Sequence, residues 1–257
     1  MNFISLFLLS LSTFFCFSPS QKLAADDWNK RVYLATYPKS GNHWLRYLIE
    51  EATLIATSSV YCDTDNWSYS RLHLPTPFPW GGYSPKNGYD GNCCYPEADD
   101  IFVVKTHFPV FGPFDFDGLP SIKTIRITRH PVDSFFSFYL NKPPEGPVPS
   151  HILKDFISSW REFQEYWDKQ PNVVTIRYED LYNSPKAVFK TIIDAIGYKV
   201  QDTDIERAIT KCPPKGGTMK YLHLFHPEDL KIIAHELRDL MIKYDYEIPK
   251  ELLLKEL

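Results

Sequence analysis

Val32-Tyr33-Leu34-Ala35-Thr36-Tyr37-Pro38-Lys39-Ser40-Gly41-Asn42-His43-Trp44-Leu45-Arg46-Tyr47-Leu48-Ile49 reads as a buried strand, a tight loop and a helix. Val32 to Ala35 is a short apolar run that Pro38 ends. Beyond Gly41, the residues Leu45, Leu48, Ile49, Ala52 and Ile55 recur on one helical face. A loop between a strand end and a helix start turns backbone N–H groups outward, at the positive end of the helix dipole. Lys39 adds a full positive charge there, and Ser40, Asn42 and His43 add hydrogen-bond donors. These are the parts of a phosphate cradle, although an ordinary structural turn carrying one lysine is the plain alternative. The nucleotide-triphosphatase spacing Gly-x-x-x-x-Gly-Lys-Ser/Thr is absent.

Downstream, the same alternation of strand and helix continues. Ile101-Phe102-Val103-Val104 suits a strand buried on both faces of a parallel sheet, and such a strand delivers its C-terminal end to a ligand crevice. Lys105 and His107 are thereby expected at the rim. Ser121 to Arg129 is a third strand, with Pro131 in the first turn of a helix continuing to Leu140. Ser150 to Gln170 is an amphipathic helix with Ile152, Phe156, Trp160, Phe163 and Trp167 on its core face. Asn172 to Arg177 is a fourth strand, leading into Tyr178-Glu179-Asp180. Ser184-Pro185 opens a helix that Gly197 stops, and a last helix starting at Pro227 buries Leu230, Ile233, Leu237, Leu240 and Tyr244. The pattern is that of one α/β domain.

The 257 residues suit such a domain, and a net charge of −4 argues against a general nucleic-acid binder. Phe3 to Phe17 is an uncharged apolar run, short of the ~20 residues that span a bilayer. With Ser18-Pro19-Ser20 behind it, residues 1–20 read as a signal peptide or signal anchor, although no basic residue precedes the run. A simple apolar N-terminus is the third possibility. Contact with a membrane is expected only if that segment is an uncleaved anchor. Asn66-Trp67-Ser68 is a glycosylation acceptor. Besides Cys16 there are Cys62, Cys93, Cys94 and Cys212, without a Cys-x-x-Cys pair, so no metal is expected. A disulfide from Cys62 to Cys93 or Cys94, or four reduced thiols, both fit. Residues 60–100, rich in Pro, Gly and aromatics, form either a cover over a substrate or a loop with its own small core.

Tyr37-Pro38-Lys39-Ser40-Gly41-x-x-Trp44 resembles the 5′-phosphosulfate loop of the sulfotransferases that use 3′-phosphoadenosine 5′-phosphosulfate, with Asn42 and His43 in place of two threonines. Four more segments follow in the family's order. Lys105-Thr106-His107-x-Pro109 is similar to its catalytic segment, which implies that His107 is the general base and that Lys39 and Lys105 meet the charge on the transferred group. Arg129 and Ser137, eight apart, match the pair that holds the nucleotide 3′-phosphate. Tyr178-Glu179-Asp180 matches a motif whose tyrosine lies near the adenine. Lys215, Gly216 and Phe225 match the last motif, in which Pro214 replaces an arginine.

The resemblance implies a three-layer α/β fold with a central parallel sheet of the P-loop-nucleotide-kinase type over residues 27–250. It further implies binding of the co-substrate through Lys39, Ser40, Gly41, Asn42, His43, Trp44, Arg129, Ser137, Tyr178, Lys215 and Gly216. A sulfuryl group carries less negative charge than a phosphoryl group, so fixed cations and amides suffice without a metal. The run from Ser40 to Glu50 is similar to the branch found with WSC domains, which implies a glycan hydroxyl as acceptor, in the Golgi lumen or secreted. Sulfation of small phenols or alcohols and a non-catalytic nucleotide-binding module are the alternatives. A magnesium-dependent phosphotransferase is disfavoured, because the strand ends carry Lys105, His107 and Arg129 and no aspartate.

Overall fold

The computed structural model describes residues 31–55, 57–59, 101–111, 123–140, 142–214 and 216–250. The expected cover at 60–100, Asn66, Cys62, Cys93, Cys94, the N-terminal segment and Lys215 lie outside them. Among the described residues, five parallel strands form one sheet in the order β2-β3-β1-β4-β5. The strands are β1 (Arg31–Thr36), β2 (Ser58–Ser59), β3 (Phe102–Thr106), β4 (Thr124–Thr128) and β5 (Val173–Arg177). β1 lies between β3, where Ala35 pairs with Thr106, and β4, where Thr36 pairs with Ile127. The chain builds one side of β1 first and then crosses to the other, so the crevice beyond the C-terminal end of β1 is a topological switch point.

Alternation along β1 divides the core. Val32 and Leu34, with Ile125 and Ile127 of β4, face α1 (Asn42–Thr53), α4 (Tyr178–Asn183), α5 (Pro185–Ile196) and α6 (Asp202–Lys211). Ala35, with Tyr37 behind it, faces α2 (Pro131–Phe135), α3 (Ser150–Lys169), α7 (Pro227–Glu236) and α8 (Arg238–Lys243). The result is the expected three-layer arrangement, a sheet covered on both faces.

Several boundaries differ from the sequence reading. α1 ends at Thr53, so Ile55 is not on its face. Leu54 takes φ 58 and closes the helix by donating to the Glu50 carbonyl, while the Glu50 carboxylate accepts the Thr57 N–H and draws the chain toward β2. β2, only two residues long, has no period to betray it. The helix expected from Val132 to Leu140 is α-helical to Phe135 and a π-turn over Phe136–Leu140. The last helix breaks at Leu237 into α7 and α8, although its buried stripe is as expected.

Candidate active site

The loop after β1 is shaped by its backbone. Ser40 N–H donates to the Tyr37 carbonyl (3.1 Å), and Lys39 and Gly41 both adopt positive φ, 63° and 95°. Gly41 has a second constraint, since a Cβ there would lie 2.5 Å from the Tyr178 ring. Gly41 is the N-cap of α1 and offers no side chain to cap it. The amides of the helix's first turn therefore keep their capacity to meet an anion. Ser40 is buried against the Ser134 hydroxyl (3.3 Å), whereas Lys39 is exposed.

Asn42 ties this loop to β3. Its Nδ2 donates to Thr36 Oγ1 (3.1 Å), and that hydroxyl lies 3.2 Å from His107 Nδ1. The same nitrogen is 2.7 Å from the Thr36 carbonyl, to which it donates. A carbonyl can only accept, so the ring is held as the Nδ1–H tautomer and Nε2 is its basic nitrogen. Burial, then the charges of Lys105, His43 and Arg46, hold the imidazole well below its usual 6.5, against the Thr36 hydrogen bond. It is thereby unprotonated at neutral pH, the form a general base requires. Lys105 does not stand at the rim as its position near the strand end implies. It is 6% exposed within β3, paired with Leu34, and reaches the site through its field on His107.

Arg129 follows β4. Its Nη1 donates to the Lys39 carbonyl (2.8 Å), supporting the strained loop from beneath. Its remaining contacts are loose: Ser137 Oγ at 3.5 Å and Asp133 Oδ2 at 3.5 Å. The buried Nε has no hydrogen-bond partner among the described residues. The guanidinium lies over the Tyr178 ring, 4.7 Å from its centroid. Trp44 meets Tyr178 edge-on at 5.8 Å and donates its indole N–H to the Cys212 carbonyl (2.9 Å). Tyr178 thus stacks on a cation and Gly41, and its ring face toward Arg129 is taken.

The last segment arrives through Asp133, whose carboxylate accepts the N–H groups of Met219 (2.7 Å) and Tyr221 (3.2 Å). Burial pushes the Asp133 carboxyl up, and Arg129 opposes this. Gly216, at φ 100, accepts a hydrogen bond from the Tyr182 hydroxyl (2.9 Å) at its carbonyl. Phe225 is a core residue packed on Phe135 and Phe136. Lys39, Arg129, Ser137, Tyr178 and Trp44 are therefore joined by direct contacts, Asn42 and His107 meet through Thr36, Ser40 rests on Ser134, and Gly216 is linked through Tyr182. Thr36, Asp133, Ser134 and Tyr182 are the residues the sequence reading missed. Only Thr36, the last residue before the turn, carried a positional signal.

A glycine-bent loop opening α1 at the switch point of a parallel sheet, with Arg129 against it, defines an α/β domain whose loop can meet an anion. The chain belongs to the sulfotransferase domain family, whose model matches residues 29–215. It is 25% identical over 186 residues to a WSCD family member of Aedes aegypti, covering 66% of this chain and 51% of that protein. It is 26% identical over 211 residues to Sulfotransferase 6B1 of Mus musculus, covering 70% and 59%. The chain thus spans about half the length of the WSCD relatives it matches. In fold it resembles mouse sulfotransferase SULT7A1, solved in complex with PAP, at TM-score 0.55 and 19% identity over 88% of this chain and 91% of that one. Retinol dehydratase, solved with androsterone and PAP, matches at TM-score 0.53 and 17% identity over 90% and 88%.

Proposed function

We propose that this protein transfers a sulfuryl group from 3′-phosphoadenosine 5′-phosphosulfate to an acceptor hydroxyl. The observation that carries the reading is the Asn42–Thr36–His107 linkage, which joins a basic imidazole nitrogen to the phosphate loop. In the proposed step the acceptor oxygen attacks sulfur and its proton passes to His107 Nε2. The bond from sulfur to the bridging oxygen breaks, and adenosine 3′,5′-bisphosphate leaves. Lys39 and the amides after Gly41 would take up the charge on the bridging and phosphate oxygens, with Lys105 acting at longer range. Arg129 and Ser137 would hold the 3′-phosphate, and its binding energy would be realised away from the reacting bond. The PAP bound by the mouse enzyme of like fold supports this choice of nucleotide.

The similarity to WSCD family members supports a glycan acceptor, and the apolar run Phe3 to Phe17 supports a route through the secretory pathway with residues 27–250 as the catalytic domain. Calorimetry with adenosine 3′,5′-bisphosphate and ADP tests the nucleotide. Equal affinity for the two would end the reading. Radiolabelled sulfate donor offered with glycans, phenols and steroids tests the acceptor, and incorporation into phenols alone would replace the glycan. A glycosidase that leaves the mobility of cell-expressed protein unchanged would count against modification of Asn66.

A further inference from the structure

The segment after Pro214 contains a cation for which the overall reading has no task. Lys220 folds back over Gly216: a Cβ on that glycine would lie 2.9 Å from Lys220 Nζ and 3.6 Å from its Cε. Gly216 is thus constrained twice, by its φ of 100° and by the ammonium lying against it. The lysine's backbone is not free to wander. Asp133 grips the amides of both its neighbours, Met219 and Tyr221. Beneath the ammonium, at 4.5 Å, lies the Tyr221 ring, which stacks at 3.9 Å on Phe136, the residue before Ser137.

Charge around Asp133 does not balance. Its carboxylate lies 3.5 Å from Arg129 Nη2 and also feels the charge of Lys220, so one buried carboxylate serves two cations. No carboxylate forms a salt bridge with Lys220 among the described residues. Through Asp133 the lysine's segment is tied to Arg129, whose Nη1 lies 3.5 Å from the Ser137 hydroxyl and whose buried Nε has no partner among the described residues. Lys220 is exposed, so its ammonium is open to a ligand, while the amides on either side of it are fixed by Asp133.

We propose that Lys220 is the second cation of the nucleotide 3′-phosphate subsite, doing with Arg129 what an arginine at position 214 would otherwise do. This rests on the sulfotransferase reading and adds to it a residue that determines nucleotide specificity. The group recognised is a dianionic phosphate on the ribose 3′ position, which can take a charge-assisted bond from each cation.

The test compares adenosine 3′,5′-bisphosphate with AMP, which differ only in that phosphate, by calorimetry on the full chain. Lys220→Met keeps an apolar stem on Tyr221 and removes the charge. It is expected to weaken bisphosphate binding about tenfold and leave AMP within twofold, while Lys220→Arg restores most of the discrimination. Unchanged discrimination in Lys220→Met would overturn the proposal and leave the sulfotransferase reading intact. Equal losses for both nucleotides would overturn it too, by showing that Lys220 supports the loop and not the phosphate. A wild-type chain that does not prefer the bisphosphate would sink both together. Thermal melts of each variant separate loss of binding from loss of fold.

Discussion

Arg126 and Arg129 lie three residues apart, yet they meet opposite fates. Arg126 borders an open cleft of about 500 Å³ beside β5. There it donates to Thr175 Oγ1 (2.8 and 3.1 Å) and the Gln164 carbonyl (3.0 Å) and pairs with Asp168 (2.9 Å). The neighbouring cations are paired as well, Lys243 with Asp168 (2.7 Å) and Arg177 with Asp245 (2.9 Å). Arg129 in the crevice has one tight bond, two at 3.5 Å and a buried Nε with no partner among the described residues. Two histidines hold opposite tautomers. His130 has both nitrogens engaged, Nδ1 accepting from Val132 N–H and Nε2 donating to the Glu247 carbonyl. His107 has Nδ1 held by Thr36 and keeps Nε2 as its basic nitrogen. Arg126, whose contacts are all short, belongs to the framework, whereas Arg129, with one short bond and two long ones, keeps donors for a ligand.

The largest expected effect falls on the histidine of the crevice. His107→Ala should lower turnover by about 10²–10⁴, the usual loss on removing a general base, with nucleotide affinity kept within about threefold. Steady-state kinetics and nucleotide titration decide it. More than about a tenth of wild-type turnover, where chemistry limits the rate, would remove His107 from the proton transfer.

Next come the two arginines, whose variants should fail in different assays. Arg126→Met removes a buried cation's bonds to Thr175, the Gln164 carbonyl and Asp168, although Asp168 keeps Lys243 and Tyr244; it should cost about 2–3 kcal/mol in urea unfolding while leaving nucleotide binding alone. Arg129→Met should cost only about 1 kcal/mol, because Asp133 keeps two amide donors and can take up a proton. Its affinity for adenosine 3′,5′-bisphosphate should fall roughly ten- to a hundredfold. If the two variants lose stability equally, the contrast between the clefts is wrong.

The smaller effect concerns His130. Burial pushes its imidazole down to about 4, partly opposed by the Glu247 carbonyl. The folded state thus binds its proton more weakly than the unfolded chain, so stability is full above pH 6.5 and is lost as pH falls toward 4. Wild type should lose roughly 2–3 kcal/mol relative to His130→Asn across that window, less any offset from unfolded-state structure. Parallel stability curves for the two proteins would show that His130 is not held neutral by its partners.

Much of this was legible in the chain. Pro38, Gly41 and the face Leu45, Leu48, Ile49 announced the loop and α1, and Pro131, Pro185, Gly197 and Pro227 marked helix ends where the structure has them. The eight-residue offset between Arg129 and Ser137 brings the two within 3.5 Å. How that offset closes was not legible, because Phe136–Leu140 widens into a π-turn that no periodicity distinguishes from an α-helix. Lys105 was misjudged because being near a strand end says nothing of how deep the strand sits in its sheet.

The sequence by itself determined the kind and order of most elements, though not of β2 or α6, and which residues stand at the strand ends, because period, glycine and proline act over a few residues. The tertiary structure decided which charges are left open. Arg126 is satisfied by residues 38 to 49 positions away, and Arg129 is anchored by a carbonyl 90 positions before it. Only folding brings those partners within hydrogen-bond range, and so only folding separates an arginine of the framework from an arginine of the site.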